Sequence, residues 1–520
     1  MSQGSAPEVT TTRGRLRGVM QEGLAVFRGV PYAAAPEGPR RFRAPEPAEA
    51  WEGVRDATTL GAAAPQPPRQ GVASIFAGAF SAGDLPVSED CLNLNVWTPG
   101  LDDARRPVMV WVHGGGFRTG TGASPMYDGA TLARRGDVVV VTFNYRLGPV
   151  GFLYAEELGG ANFGLLDQVA ALQWVQDEVR AFGGDPDNVT IFGESAGGKS
   201  VETLLGTPAA RGLFHRAIVQ SSHDPPMGVE QATGATSQFL AEVGLTQPDA
   251  ERLRAMPLND LIAAQVRLAE AAMAAGAGGV LGAGASFGPV VDGDVLPAHP
   301  REATAAGSAA DVTLLIGTNL DESRLFGAAA PGMADMDRPA ALARIAATLT
   351  AGDEARAAAT YEAYRAAREQ RGDRHAPVDV WFAVQTDRTF RYPSILVAEG
   401  QAQHQPATYM YLFTQPSPLY EGVLGSCHAL EIPFVFGTNR GELLPLTGKG
   451  DAVEALATAM QDAWIAFART GDPNHGGLPL WPAFTDRRRA TMVLGSQQDV
   501  AYGPLEAERQ AMAEVFPPLR

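Results

Sequence analysis

The chain has few of the residues that build cross-links, metal clusters or membrane spans. Only two of its 520 residues are cysteine, Cys91 and Cys427. Counting therefore excludes a disulfide framework and a multi-cysteine metal site, and buried free thiols are the expected state. No uninterrupted apolar run approaches the ~18 residues of a membrane span, and the opening MSQGSAPEVTTTRGRLRG holds no apolar stretch of signal-peptide length. The expectation is a cytoplasmic protein without a membrane partner. Clusters of Lys and Arg are also missing and the formal net charge is −17, which argues against nucleic acid or an anionic membrane as partner. The same acidity weakly disfavours polyanionic substrates, nucleotides included. No repeat of fixed period is found.

What is present is ordinary globular material, 45% hydrophobic and 19% charged, sufficient for a large core. Strand-like runs at Val108 to Val112, Val138 to Phe143 and Val189 to Phe192 alternate with helical stretches, of which Leu165 to Phe182 is the longest. That alternation predicts α/β architecture with a mostly parallel sheet covered on both faces. Ala217 to Gln220, Val312 to Ile316 and Tyr409 to Phe413 read as later strands of the same sheet. The Ala-rich stretches 227–285 and 331–372 carry charges at helical spacing and read as helical insertions over the sheet. Pro and Gly near Ala62 to Gln70 mark a surface loop. The chain is read as one domain over 1–520, with an insertion at about 331–410.

Residues 193–200, GESAGGKS, satisfy two patterns at once. As G-x-S-x-G, they make Ser195 a nucleophile on a sharp strand-to-helix turn. As G-x-x-x-x-G-K-S, they form a phosphate loop whose Lys199 reaches a nucleotide. Both need a strand before and a helix after, and the chain supplies them. The nucleotide reading also needs a magnesium-binding carboxylate closing an apolar strand. The nearest candidate, Pro289 to Asp292, is too short and runs into a turn, so this remains the remote alternative. A second G-x-S-x-G match, Gly284, Ser286 and Gly288, has no strand ahead of it and reads as loop.

Acyl transfer needs a histidine base, a carboxylate to orient it, and donors for an oxyanion. After Val108 to Val112 comes His113-Gly114-Gly115-Gly116-Phe117, whose glycines free backbone amides to point into a cavity. His113 itself reads as loop support. The amide of Ala196, in the first turn of the helix after Ser195, is a further donor. Asp321 and Glu322 project beyond the strand end at Ile316, where active sites of open α/β sheets gather. Local sequence leaves the two carboxylates equivalent. Of eight histidines, His428 lies in a small-residue loop after both the serine and the carboxylates, giving the order Ser, acid, His.

Taken together, FRGVPYA (27–33), SEDCLNLNVW (88–97), WVHGGGF, FNYRLGPVGFL, NFGLLDQ, FGGDPDNVTIFGESAGG, GTNLDE, HALEIPFVFG and FARTGDPN resemble the type B carboxylesterase family, which includes bacterial carboxylesterases and the cholinesterases. The likeness spans nearly the whole chain. It implies an α/β-hydrolase fold, with a large twisted sheet covered by helices and long helical insertions over the active site. It also implies ester hydrolysis through an acyl-enzyme, with Ser195 as nucleophile, Glu322 rather than Asp321 as acid and His428 as base. Gly115, Gly116 and Ala196 match the oxyanion donors, and Ser221 matches a buried serine near the triad. Arg41 and Glu89 match a structural ion pair. Cys91 matches a cysteine that is disulfide-bonded in secreted relatives, but here no partner precedes it. Lys199 and Ser222 depart from the family pattern. The lysine is expected to pack its stem and leave its ammonium in water, and the serine to narrow its corner of the site.

No metal or cofactor is required by this chemistry. The expected substrates are small aryl or alkyl esters, with carbamates or activated amides as the alternative on the same triad. Activity should rise through about pH 6 to 7 as the histidine deprotonates. Phe117, Phe326, Phe434 and Phe436 are candidates for an apolar cleft or for core. Monomer and homodimer are both open.

Overall fold

The computed structural model describes residues 6–67, 85–223, 226–274 and 287–516. Eleven strands form one sheet. They are β1 (Val19–Gln21), β2 (Leu24–Pro31), β3 (Asn93–Thr98), β4 (Arg106–Val112), β5 (Val139–Phe143), β6 (Gly184–Glu194), β7 (Arg216–Gln220), β8 (Thr313–Asn319), β9 (Thr408–Phe413), β10 (Ala490–Leu494) and β11 (Asp499–Tyr502). Their spatial order is 11-10-9-8-7-6-4-5-3-2-1. From β5 to β10 every neighbouring pair is parallel, and antiparallel strands close both edges.

Parallel strands joined by helices are buried on both faces and so read as continuous apolar runs. β4 and β5 are buried at every residue. Within β4 the side chains divide by parity, as a pleated strand requires. Val108, Val110 and Val112 join the core on one face, while Met109 and Trp111 join the core on the other. All the strand-like runs expected from the sequence lie in this sheet. Helix α1 (Phe163–Glu178) occupies the expected helical stretch, and α2 (Ala196–Leu205) follows β6 directly.

Most of the described residues of the two Ala-rich stretches are helical. The first holds Val229–Glu242, Ala250–Ala255 and Leu258–Ala274. The second holds Arg338–Thr348 and Glu354–Arg371, and two further helices, Pro377–Thr386 and Tyr392–Ala402, follow it before β9. These four helices end before β9 begins at Thr408, so the last residues of the expected 331–410 insertion belong to the sheet. Residues 275–285 of the first stretch, Gly284 and Ser286 of the second G-x-S-x-G match, and the end of the expected loop at 68–70 lie outside the described residues.

Arg41 ties an insertion to the sheet domain. Its Nε and Nη2 donate to the two carboxylate oxygens of Glu89, each at 2.6 Å. Its Nη1 donates to the carbonyls of Arg254 at 2.9 Å and Met256 at 2.6 Å. The pair is nearly buried, with side-chain exposures of 8% and 11%, so removing one partner strands the other in a dry environment. Arg41→Met should therefore cost about 3–5 kcal/mol. A lowered thermal midpoint and faster proteolytic cleavage within 249–258 would show it; an unchanged midpoint and cleavage pattern would contradict this role.

Candidate active site

Ser195 stands alone between the end of β6 at Glu194 and the start of α2 at Ala196, with φ 57° and ψ −122°. A non-glycine residue in this region carries roughly 1–3 kcal/mol of strain and persists only where the surroundings dictate it. Three glycines dictate it. A Cβ on Gly197 would fall 1.9 Å from the carbonyl oxygen of Val112, one on Gly198 2.3 Å from that of Gln220, and one on Gly193 2.6 Å from Gly197. Without side chains at these positions, α2 lies directly on β4 and β7. The Ser195 N–H donates to the Gln220 carbonyl at 3.1 Å.

The loop after β4 closes on the same turn. A Cβ on Gly114 would sit 2.8 Å from the Glu194 carbonyl oxygen and 3.2 Å from Ser195 Cβ, and one on Gly115 2.0 Å from the Thr119 carbonyl oxygen. Gly115, Gly116 and Phe117 all have positive φ. Among the described residues, no acceptor takes the amide hydrogens of Gly115, Gly116 or Ala196. His113 supports this loop from within the core. It is fully buried, its ring stacks on Tyr145 at 4.5 Å, and the Tyr145 hydroxyl donates to its carbonyl at 2.8 Å.

The chain segments after β8 and β9 meet here as well. His428 Nδ1 lies 2.7 Å from Glu322 Oε2, while Glu322 Oε1 accepts the Asn319 N–H at 2.7 Å. Asp321 turns the other way: it accepts the Ser426 N–H at 3.1 Å and Arg324 Nε at 3.3 Å. A Cβ on Gly425 would lie 2.4 Å from its Oδ2. Glu322 thus meets the imidazole, and Asp321 clamps the loop that carries it.

On its other edge, His428 Nε2 lies 3.0 Å from Glu194 Oε1. That contact is one of charge only, since neither atom has a hydrogen-bond partner. Ser195 follows Glu194 directly, yet its Oγ makes no hydrogen bond to the ring among the described residues. Such contacts are often long before substrate binds. Burial alone would lower the His428 pKa, but the charges of Glu194 and Glu322, then the hydrogen bond that the ring donates to Glu322, outweigh it and push the value up to about 9. Burial raises the Glu194 carboxyl well above the usual range. Burial and the charge of Glu322 push Glu431, which accepts from Asn319 and Gln220, up to about 7. With three carboxyl groups around one imidazole, His428 and Glu194 titrate as a pair, and the ring keeps its proton to higher pH than a free histidine.

Ser221 lies just past β7 with φ 49°, its Oγ buried and without a partner. Its neighbour Ser222 donates to Glu202, and Lys199 Nζ lies 3.3 Å from the other Glu202 oxygen. The expected solvated ammonium is therefore wrong. Every residue of α2 is buried, so the lysine has no route to water, and Glu202 one turn later supplies its counter-charge. An ammonium engaged in this way also removes the local basis for the phosphate-loop reading.

Phe434 and Phe436 are core: the first packs on Phe413, the second on Trp111, Tyr127 and Phe192. Phe326 does reach the site, 5.2 Å from the His428 ring, and Phe117 lies 6.4 Å from His223. Three site residues have no forerunner in the sequence reading. Glu194 was visible in the glycine motif itself, and His223 two residues after Ser221. Phe390, 4.8 Å from His428, comes from the short π-helical stretch Asp387–Arg391 of the second insertion and carried no local signal. Cys91 and Cys427 are free and buried. Among the described residues, no helix is long and apolar enough to cross a membrane.

Comparison with known proteins gives the family. The model of the Carboxylesterase family matches residues 5–512. The chain is 38% identical to the para-nitrobenzyl esterase of Bacillus subtilis over 97% of its own length and 98% of that protein. It is 40% identical to the phenmedipham hydrolase of Pseudarthrobacter oxydans over 94% and 95%. Among solved structures, a carboxylesterase of Geobacillus stearothermophilus superposes with a TM-score of 0.83 at 39% identity, covering 97% of this chain and 99% of that one. The chain belongs to the carboxylesterase family and is a carboxylic ester hydrolase with the α/β-hydrolase fold.

Proposed function

We propose that ester hydrolysis proceeds through a Ser195–His428–Glu322 triad and an acyl-enzyme. The observation that carries this reading is the 2.7 Å contact of Glu322 with His428 Nδ1, which leaves Nε2 facing the turn that holds Ser195. Nε2 takes the proton as Ser195 Oγ adds to the ester carbonyl, and the amides of Gly115, Gly116 and Ala196 receive the oxyanion. The imidazolium then protonates the departing alcohol. Water enters, loses its proton to the same nitrogen and releases the acid. Glu322 fixes the tautomer and stabilises the transient cation, and Asn319 in turn fixes Glu322. Ser221 follows Gln220, whose carbonyl accepts the Ser195 N–H.

Small aryl and alkyl esters suit a site flanked by Phe117, Phe326 and Phe390. Ser195→Ala should lower kcat for p-nitrophenyl butyrate by at least ~10³-fold. Near-normal turnover in that variant would end the triad assignment.

The pH dependence follows from the carboxyl cluster. The competent base is neutral His428, so a pKa raised in the folded enzyme shifts the rise of kcat/KM to higher pH. The midpoint should lie above the ordinary histidine value of about 6.5, higher than the sequence alone suggested. Glu194→Gln removes the carboxyl beside Nε2 and should lower that midpoint by about one unit or more. A midpoint unmoved by this change would show that Glu194 does not act on the base.

A further inference from the structure

The segment leaving β7 carries a side chain that the triad does not use. Gln220, the last residue of β7, accepts the Ser195 N–H, so Ser221, Ser222 and His223 emerge beside the nucleophile. The His223 ring lies 6.4 Å from Phe117 and 6.4 Å from Phe390. Phe117 follows Gly116 in the oxyanion loop, and Phe390 packs on His428. The imidazole therefore stands between the donors for the carbonyl oxygen and the general base.

Both ring nitrogens of His223 are buried, and among the described residues neither has a hydrogen-bond partner. Buried polar groups are nearly always paired, and an exception calls for a reason. Several polar neighbours are engaged elsewhere: Ser222 with Glu202, Glu202 with Lys199, and Gln220 with Glu431 and Trp464. Burial, then the charges of Lys199 and His428, push the His223 pKa down to about 3. The ring is thus neutral, with one N–H donor and one acceptor nitrogen. The buried Lys199–Glu202–Ser222 chain sits behind it, fixing the adjoining backbone and opposing protonation.

We propose that His223 is a specificity residue that hydrogen-bonds the acyl part of the substrate, and that the favoured substrates are esters of acids with a hydrogen-bonding heteroatom on the carbon next to the scissile carbonyl, such as 2-alkoxy or 2-hydroxy acids. This inference rests on the triad reading. The alcohol must leave at His428 Nε2, and the carbonyl oxygen must point to Gly115 and Gly116. The acyl group then takes the remaining side, along Phe117, where His223 stands. An ether or hydroxyl oxygen there accepts the imidazole N–H, or a hydroxyl facing the other edge donates to the unprotonated nitrogen. An aliphatic chain leaves both unpaired, which is the condition under which polar sites discriminate most strongly.

p-Nitrophenyl methoxyacetate and p-nitrophenyl butyrate differ by one oxygen in place of one methylene. Their kcat/KM ratio, divided by the ratio of their hydroxide-catalysed rates, isolates the enzyme's preference. The unaltered enzyme should favour the methoxyacetate about tenfold on this scale. His223→Leu should abolish the preference, and His223→Gln, which keeps a donor and an acceptor, should retain most of it. A normalised ratio near one in the unaltered enzyme overturns the inference even if the variants fail to fold. So does a ratio that His223→Leu leaves intact. Failure to hydrolyse either ester would instead contradict the triad reading, and this inference with it.

Discussion

Helix α2 can lie on the sheet only because residues 193, 197 and 198 carry no side chain. A single methyl at Gly197 would overlap the Val112 carbonyl, and the helix would have to lift away from β4. The strained backbone of Ser195, the closeness of the 113–117 loop to it and the free hydrogen of the buried Ala196 amide, among the described residues, all follow from that contact. Protein interiors do not yield smoothly to inserted volume, so the turn is held in one conformation. The strain at Ser195 is maintained by the packing of ten buried residues of α2 behind it.

The second constraint is electrostatic. Glu322 holds one nitrogen of His428 and Glu194 stands beside the other, with Glu431 behind, all in a region closed to water. Three carboxyl groups around one imidazole favour its cationic form. That form must be stabilised while the oxyanion exists and must be absent before attack begins. The cluster balances these needs by titrating as a unit. A neighbouring cation, Lys199, is paired with Glu202 inside the fold.

The sheet was legible in the sequence because strands buried on both faces leave unbroken Val- and Ile-rich runs, as in Val108 to Val112. The nucleophile was legible because the glycines at 193 and 197 are required by contact. Local residues could not separate Asp321 from Glu322. Their contrast depends on Ser426 and His428, about a hundred residues later, arriving on opposite sides of the pair, and only resemblance to a family favoured Glu322. Lys199 was misread because its position one turn after Ser195 says nothing about what covers α2. Phe390 was invisible for a related reason, since an insertion folding back over the sheet brings it to His428. Phe434 and Phe436 show the converse, aromatics near the histidine in sequence that point into the core.

The central claim is that the oxygen of Ser195, on its strained turn, is the atom that becomes acylated. An alkyl fluorophosphonate reacts with such an oxygen and leaves a stable adduct, so peptide mass mapping of the treated enzyme tests the claim directly. One adduct per chain, confined to the peptide containing Ser195 and formed in step with loss of esterase activity, is the predicted result. Complete inactivation with the adduct on another residue, or full activity retained after Ser195 is modified, would contradict it.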